Sequence, residues 1–157
     1  MSQPAQFDFF QMEREFAVAL PRLFDAFADP ERKRSWYAEG HHHDIEHYSM
    51  EFEVGGREVS RYRFKQDTPF PGALLESDGV ILDIVPNQRI VIASTMAMGP
   101  HRFSAAVHTF EFSETPAGGA RMVFSHQAAF FEGADGPKLR RAGWEQLFAQ
   151  LQTSLID

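Results

Sequence analysis

Apolar and polar side chains alternate with a period of two through much of this chain, the pattern of half-buried β-strands. Over residues 9–19, Phe10, Met12, Phe16 and Val18 fall on one face and Glu13 and Glu15 on the other, with Arg14 interrupting the apolar face. The period then lengthens. Leu23, Phe24, Phe27 and Ala28 recur at helical spacing, and Pro21 suits a helix start, where its missing N–H costs nothing. Asp29-Pro30 predicts the N-cap and first position of a second short helix, which runs to about Tyr37 and is ended by Gly40.

Alternation resumes over residues 49–54, with Met50, Phe52 and Val54 inward and Glu51 and Glu53 outward. Gly55-Gly56 predicts a tight hairpin, because both residues tolerate φ > 0. Residues 58–64 return as its partner, with Ser60, Tyr62 and Phe64 on one face and Val59, Arg61 and Arg63 on the other. A loop with two prolines and a glycine covers 66–74. Strands follow over 79–85 and 89–96, divided by Pro86-Asn87; 97–102 reads as a loop, and 103–114 and 120–130 as a hairpin. From Pro137 to Ile156 the spacing is helical, with Leu139, Gly143, Leu147 and Leu151 on one stripe, flanked by Trp144, Phe148 and Leu155. The order is one strand, two short helices, six strands and one long helix. That order predicts an α+β fold with a sequentially antiparallel seven-stranded sheet. The C-terminal helix is the only element long enough to cover the sheet's apolar face.

If the last hairpin is centred near Ala117, Phe112 faces Met122, Phe110 faces Phe124 and His108 faces His126, all on one face of the sheet. That face is apolar except for its far end. Two neutral histidines there, each able to donate or accept, would stand beside a pocket under the helix.

Several short motifs resemble the SRPBCC, or START-like, superfamily, in the branch named for activator of heat-shock-protein ATPase homologues. They are Phe16-Ala17-Val18-Ala19 with Pro21, Leu23 to Phe27, Asp29-Pro30-Glu31, Ser35-Trp36-Tyr37, Val54-Gly55-Gly56-Arg57, Gly79 to Pro86, Ala120 to His126 and Gly143 to Leu147. The resemblance implies a helix-grip fold, a strongly curved seven-stranded antiparallel sheet wrapped around the last helix. It also implies a cavity, which in relatives takes up lipids, sterols, polyketides or plant metabolites. Some relatives are aromatase/cyclases and others bind a chaperone.

Composition narrows the picture further. A length of 157 residues suits a single domain over 1–157. The 16 Phe predict a broad, ring-lined interior. A net charge of −7 argues against a nucleic-acid surface, and Arg32-Lys33-Arg34 reads as a solvated helix face. No apolar run approaches the ~18 residues of a membrane span, and residues 1–6 do not resemble a signal peptide, so the cytoplasm is the expected location. With no cysteine, thiolate metal sites are excluded. His41, His42, His43 and His47 crowd into one segment without HExxH spacing and read as a polar loop, so neither a metal nor a cofactor is expected. No GxSxG, P-loop or GxGxxG signature is present.

The expected function is binding of a hydrophobic small molecule by Met50, Phe52, Tyr62, Phe110, Phe124, His108, His126, Trp144 and Phe148. Tyr48, Ser60 and Arg14 are further polar groups with inward phase. A chaperone-interacting module is one alternative. An aromatase/cyclase-like or hydrolase enzyme, using His108 and His126 with Tyr62 for proton transfer, is another. A hydrophobic small molecule is therefore the expected partner, with a chaperone or a second copy of the chain, forming a homodimer, as the other candidates.

Overall fold

In the computed structural model, residues 3–156 are described. Among them, seven strands form one antiparallel sheet: β1 (Gln6–Phe16), β2 (His43–Met50), β3 (Arg57–Phe64), β4 (Leu74–Val85), β5 (Arg89–Met98), β6 (His101–Glu114) and β7 (Ala120–Phe130). Their spatial order is β1-β7-β6-β5-β4-β3-β2, so β2 to β7 form a meander and β1 closes on β7. The edges are β1 and β2. The chain passes from one edge to the other through α1 (Leu20–Ala28), α2 (Pro30–Lys33) and a π-helical turn (Arg34–Ala38). Register shifts interrupt β2 between Ile45 and His47 and β4 between Ile81 and Asp83; such irregularities bend a sheet. The C-terminal helix α3 (Pro137–Ile156) buries one side under the curved sheet. This is the α+β helix-grip fold.

The predicted hairpin register holds: Phe112 pairs with Met122, Phe110 with Phe124 and His108 with His126. The caps hold as well. Asp29 Oδ1 accepts from the Glu31 and Arg32 amides at 2.9 and 3.2 Å.

Four expectations are corrected. The strand expected over 49–54 lies earlier, because residues 51–56 are consumed by a turn. In that turn Gly56 N–H donates to Glu53 and Gly55 N–H to Ile81, both at 2.8 Å. Gly55 has φ +86°, and a Cβ at Gly56 would stand 2.0 Å from the Glu51 carbonyl oxygen, so both glycines are required. Phe52 leaves the sheet to pack edge-on against Phe24 at 5.9 Å, and Val54 is exposed. Secondly, β4 begins at Leu74, and β5 and β6 join at a tight Gly99-Pro100 turn, with Gly99 at φ 58°, rather than a six-residue loop.

Thirdly, α3 is rotated from its expected stripe. Its buried side chains are Arg140, Trp144, Phe148, Leu151 and Leu155. The largest apolar side chains set the orientation, so Leu139 turns outward and Arg140 is carried inward. Fourthly, Lys33 is buried rather than solvated. Three consecutive helical residues span about 200° of a helix's circumference, so one of Arg32, Lys33 and Arg34 meets the protein. No helix among the described residues is long and apolar enough to cross a membrane.

Candidate ligand cavity

Aromatic rings fill the interior unevenly. Phe110 stacks on Phe124 at 4.9 Å, Phe124 meets Phe148 at 5.1 Å, and Phe27 meets Trp36 at 5.0 Å. Towards the beginnings of β4 and α3 the side chains shorten to Ser77, Ser94 and Gly143. There, between sheet and helix, a cavity of about 270 Å³ remains. The sheet supplies Ser60 and Tyr62 from β3, Ser77 from β4, Ser94 and Met96 from β5, and His108 from β6. Tyr37 enters from the π-helical turn, and Arg140, Gly143 and Trp144 from α3. Exposed Leu139 stands at the rim. A hollow of about 660 Å³ on the sheet's outer face, lined by Phe7, Val80 and Ala93, is larger. Its charged members, Arg57 and Asp78, pair with each other at the surface, and a hollow of about 810 Å³ between residues 35–41 and α3 is lined mainly by polar side chains. Ligand sites are mainly apolar clefts with a few converging polar groups, so the interior cavity is the candidate.

Three polar groupings surround the interior cavity. In the first, Lys33 Nζ lies 2.9 and 2.7 Å from the two carboxylate oxygens of Glu58, and the Tyr48 hydroxyl donates to Glu58 Oε2 at 2.6 Å. Lys33 also sits 4.7 Å from the centre of the Tyr37 ring, so this buried pair backs the cavity wall. Burial, reinforced by the Glu58 charge, raises the Tyr37 and Tyr48 hydroxyls well above the ordinary tyrosine range. Burial pushes Tyr62 up to about 12. All three remain neutral at physiological pH and can donate or accept.

In the second grouping, Arg140 Nε and Nη2 donate to the two carboxylate oxygens of Asp135 at 2.9 Å each, and Nη2 also donates to Ser104 Oγ at 2.8 Å. The third is the histidine pair. His126 is sandwiched between Phe10 and His108, with ring centres 4.6 and 5.1 Å apart. Burial lowers the pKa of both imidazoles; His126 falls to about 4, helped by the Arg140 charge, and His108 is held low by burial and then by His126. Among the described residues, the sealed side-chain atoms without a hydrogen-bond partner are the two ring nitrogens of His126.

Of the residues singled out in the sequence, Tyr62, His108 and Trp144 line the cavity, and Ser60 joins them. Phe110, Phe124 and Phe148 do not, because their rings interlock and fill their own space. His126 lies one strand behind His108, covered by Phe10. Met50 and Phe52 do not line it: Met50 packs beside Tyr48 behind the wall, and Phe52 packs on Phe24. Tyr48 is engaged with Glu58, and Arg14 is held at the β1 edge by the Glu13 carbonyl. An acid–base set of His108, His126 and Tyr62 therefore has two members at the cavity and one behind its wall. The histidine segment disperses, and His43 is not in the expected polar loop: it opens β2 and lines the cavity, bonding the Ala38 carbonyl with its ring tilted against Tyr62 at 4.4 Å, while His42 faces Asp67 and His47 meets Ser49. Among the described residues, no group of three metal-ligating side chains converges.

Tyr37, Ser77, Arg140 and Gly143 escaped the sequence reading as site residues. For Arg140 the signal was present, since it lies one and two helical turns before Trp144 and Phe148. Ser77 needed β4 to start earlier than its alternation suggests.

A family model described as Activator of Hsp90 ATPase homolog 1-like protein matches residues 17–155. The chain belongs to this family. Similar solved structures include an uncharacterized protein from Rhizobium leguminosarum, 32% identical with a TM-score of 0.90, the match covering 99% of this chain and 97% of that one. Mll3558 from Rhizobium loti is 35% identical with a TM-score of 0.86, covering 97% and 99%. Protein CV1439 from Chromobacterium violaceum, 19% identical with a TM-score of 0.75 over 94% and 96%, shares the fold. Among curated proteins no match is found. The match starts at the end of β1 and takes in nearly all of α3, so it spans every element that lines this family member's cavity.

Proposed function

We propose that this protein binds one small, mainly apolar molecule in the cavity between the sheet and α3. The observation that carries this reading is Gly143. It lies inside a 20-residue helix, where glycine costs about 0.5–1 kcal/mol relative to alanine. A Cβ added there would meet no atom within 4 Å, so neither backbone strain nor crowding calls for glycine. Its distinctive consequence is the open mouth of the cavity beside Leu139. A volume of about 270 Å³ stands just below the common range of ligand sites and suits a ligand of one or two rings.

Gly143→Ala is expected to raise stability by about 0.5–1 kcal/mol in urea unfolding and to bind normally. Gly143→Leu is expected to fold equally well and to lose at least about tenfold in affinity for a two-ring probe such as 1-tetralone, because its side chain enters the cavity mouth. Unchanged affinity in the leucine variant, measured by calorimetric titration, would remove the cavity from the binding reaction.

A second reading is favoured by the family's kinship to activators of the Hsp90 ATPase together with the exposed apolar side chains Phe7, Phe9, Val80 and Leu82 on the sheet's outer face. There the protein docks on a heat-shock chaperone. Phe9→Ser with Leu82→Ser would abolish chaperone co-purification if that face is used, and would leave 1-tetralone binding intact.

A further inference from the structure

We infer that the ligand carries an uncharged acceptor oxygen, a ketone or amide carbonyl, which docks on Arg140 and His108 at the inner end of the cavity. This rests on the ligand-binding reading above and names the chemistry of the occupant.

Arg140 is 7% exposed and belongs to the cavity wall. Three of its five N–H groups are committed, one from Nε to Asp135 and two from Nη2 to Asp135 and Ser104. Among the described residues Nη1 makes no hydrogen bond, and it is not one of the sealed unpartnered atoms, which belong to His126. It therefore keeps accessible surface; the guanidinium packs against the Phe130 ring at 5.0 Å, and the open volume that Arg140 lines is the cavity. The His108 ring stands in the same position: it lines the cavity, makes no hydrogen bond to a described residue, and its nitrogens are not sealed. Two polar groups on different elements, one on α3 and one on β6, thus turn unused hydrogen-bonding capacity toward one small volume. Buried groups of this kind are normally satisfied.

The chemistry of the partner follows from the donors. A guanidinium has no acceptor, so an N–H, ammonium or hydrocarbon group cannot satisfy Nη1. A neutral imidazole can donate from whichever nitrogen carries its proton, and Arg140 with His108 can then share one oxygen. The oxygen should be uncharged because the surrounding charges are already matched. Asp135 neutralises Arg140 in a two-pronged pair, and Glu58 neutralises Lys33. The two imidazoles are kept neutral by burial. A carboxylate would add one unmatched negative charge to a poorly solvated site, a costly arrangement, whereas a carbonyl adds none. The apolar remainder of the molecule would lie against Trp144, Met96 and the Tyr62 ring.

The test uses the intact protein and three two-ring probes of similar size: tetralin without an acceptor, 1-tetralone with a neutral carbonyl, and 1-naphthoate with a carboxylate. Dissociation constants are measured by calorimetric titration at pH 7.5. The expected order places 1-tetralone about tenfold or more ahead of tetralin, because a charge-assisted hydrogen bond adds to equal apolar burial, and ahead of 1-naphthoate. Arg140→Lys preserves the charge opposite Asp135 but lacks the forked nitrogen. It is expected to bring the ratio of the tetralin and 1-tetralone dissociation constants, measured within the variant, close to one, whereas a merely structural role would weaken both probes alike and keep the ratio. Should the lysine variant be unstable, His108→Phe, which removes the second donor and leaves no charge unpaired, serves the same comparison.

Equal binding of 1-tetralone and tetralin would overturn the carbonyl assignment and leave the cavity as a plain apolar site. Tighter binding of 1-naphthoate would overturn it in favour of an anion. If none of the three binds, the ligand-binding reading fails and takes this inference with it.

Discussion

Replacing Lys33 by Met is expected to destabilise the protein by about 3–5 kcal/mol, because it leaves a buried carboxylate without its counter-charge. Lys33 and Glu58 are 2% and 6% exposed, so water cannot substitute for the missing ammonium. The Tyr48 hydroxyl would remain on Glu58 Oε2, and one neutral hydrogen bond returns about 1 kcal/mol, too little to compensate. The converse is equally informative. Lys33→Met combined with Glu58→Leu removes both charges and is expected to recover most of the loss, since an ion pair in an apolar interior is roughly matched by well-packed hydrophobic residues. Urea unfolding of the two single variants and the double variant gives the coupling directly. A loss below about 1 kcal/mol for Lys33→Met would mean that the carboxylate takes up a proton or reaches water, contrary to its packing.

Acidification is expected to cost about 3 kcal/mol of stability through His126 alone. Its pKa is about 4 in the folded protein against an ordinary value near 6.5. The unfolded chain therefore binds the extra proton between those values and the folded one does not. The contribution is complete above pH 6.5 and is lost as pH falls towards 4. His108, also depressed, adds to the loss in the same direction. The groups acting on the pair are Phe10, Lys33, Arg140 and Asp135; the lysine and arginine oppose protonation and the aspartate favours it. His126→Phe is expected to flatten this pH dependence. At pH 7 it should be at least as stable as the parent, because it removes two unpartnered nitrogens worth about 1–3 kcal/mol each and keeps a ring against Phe10. Equal slopes of stability against pH in variant and parent, read from unfolding curves between pH 4 and 7, would show that His126 titrates normally.

The same residues show how far a one-dimensional pattern reaches. The β6–β7 register was legible, because a short turn centred near Ala117 leaves two strands of matching alternation only one way to place their apolar faces together. The β2–β3 connection was not. Both glycines are turn residues, as their sequence predicts, but the turn borrows a hydrogen bond from Ile81 on β4, outside the hairpin, and that contact lengthens it and shifts β2 towards the histidines. In the candidate site, Tyr62, His108 and Trp144 were legible from phase alone. Phe110, Phe124 and Phe148 share their phase and yet stand away from the cavity, since phase reports which face a side chain takes and not whether another ring has already filled the space beside it.

What the sequence determined by itself was the element order, the Asp29 cap and the paired apolar faces of β6 and β7, and hence an antiparallel sheet covered by the last helix, with the family resemblance adding the helix-grip architecture. Each of these depends on neighbours a few residues away, or on a periodicity that persists along one element. The tertiary structure decided where charge enters the interior. Lys33 is buried because Glu58 waits across the core, and Arg140 because Trp144 and Phe148 turn its face of α3 inward onto Ser104. It also decided where packing stops. The cavity is a difference between the curvature of the sheet and the volumes of side chains from seven different elements, and no single stretch of chain contains that difference.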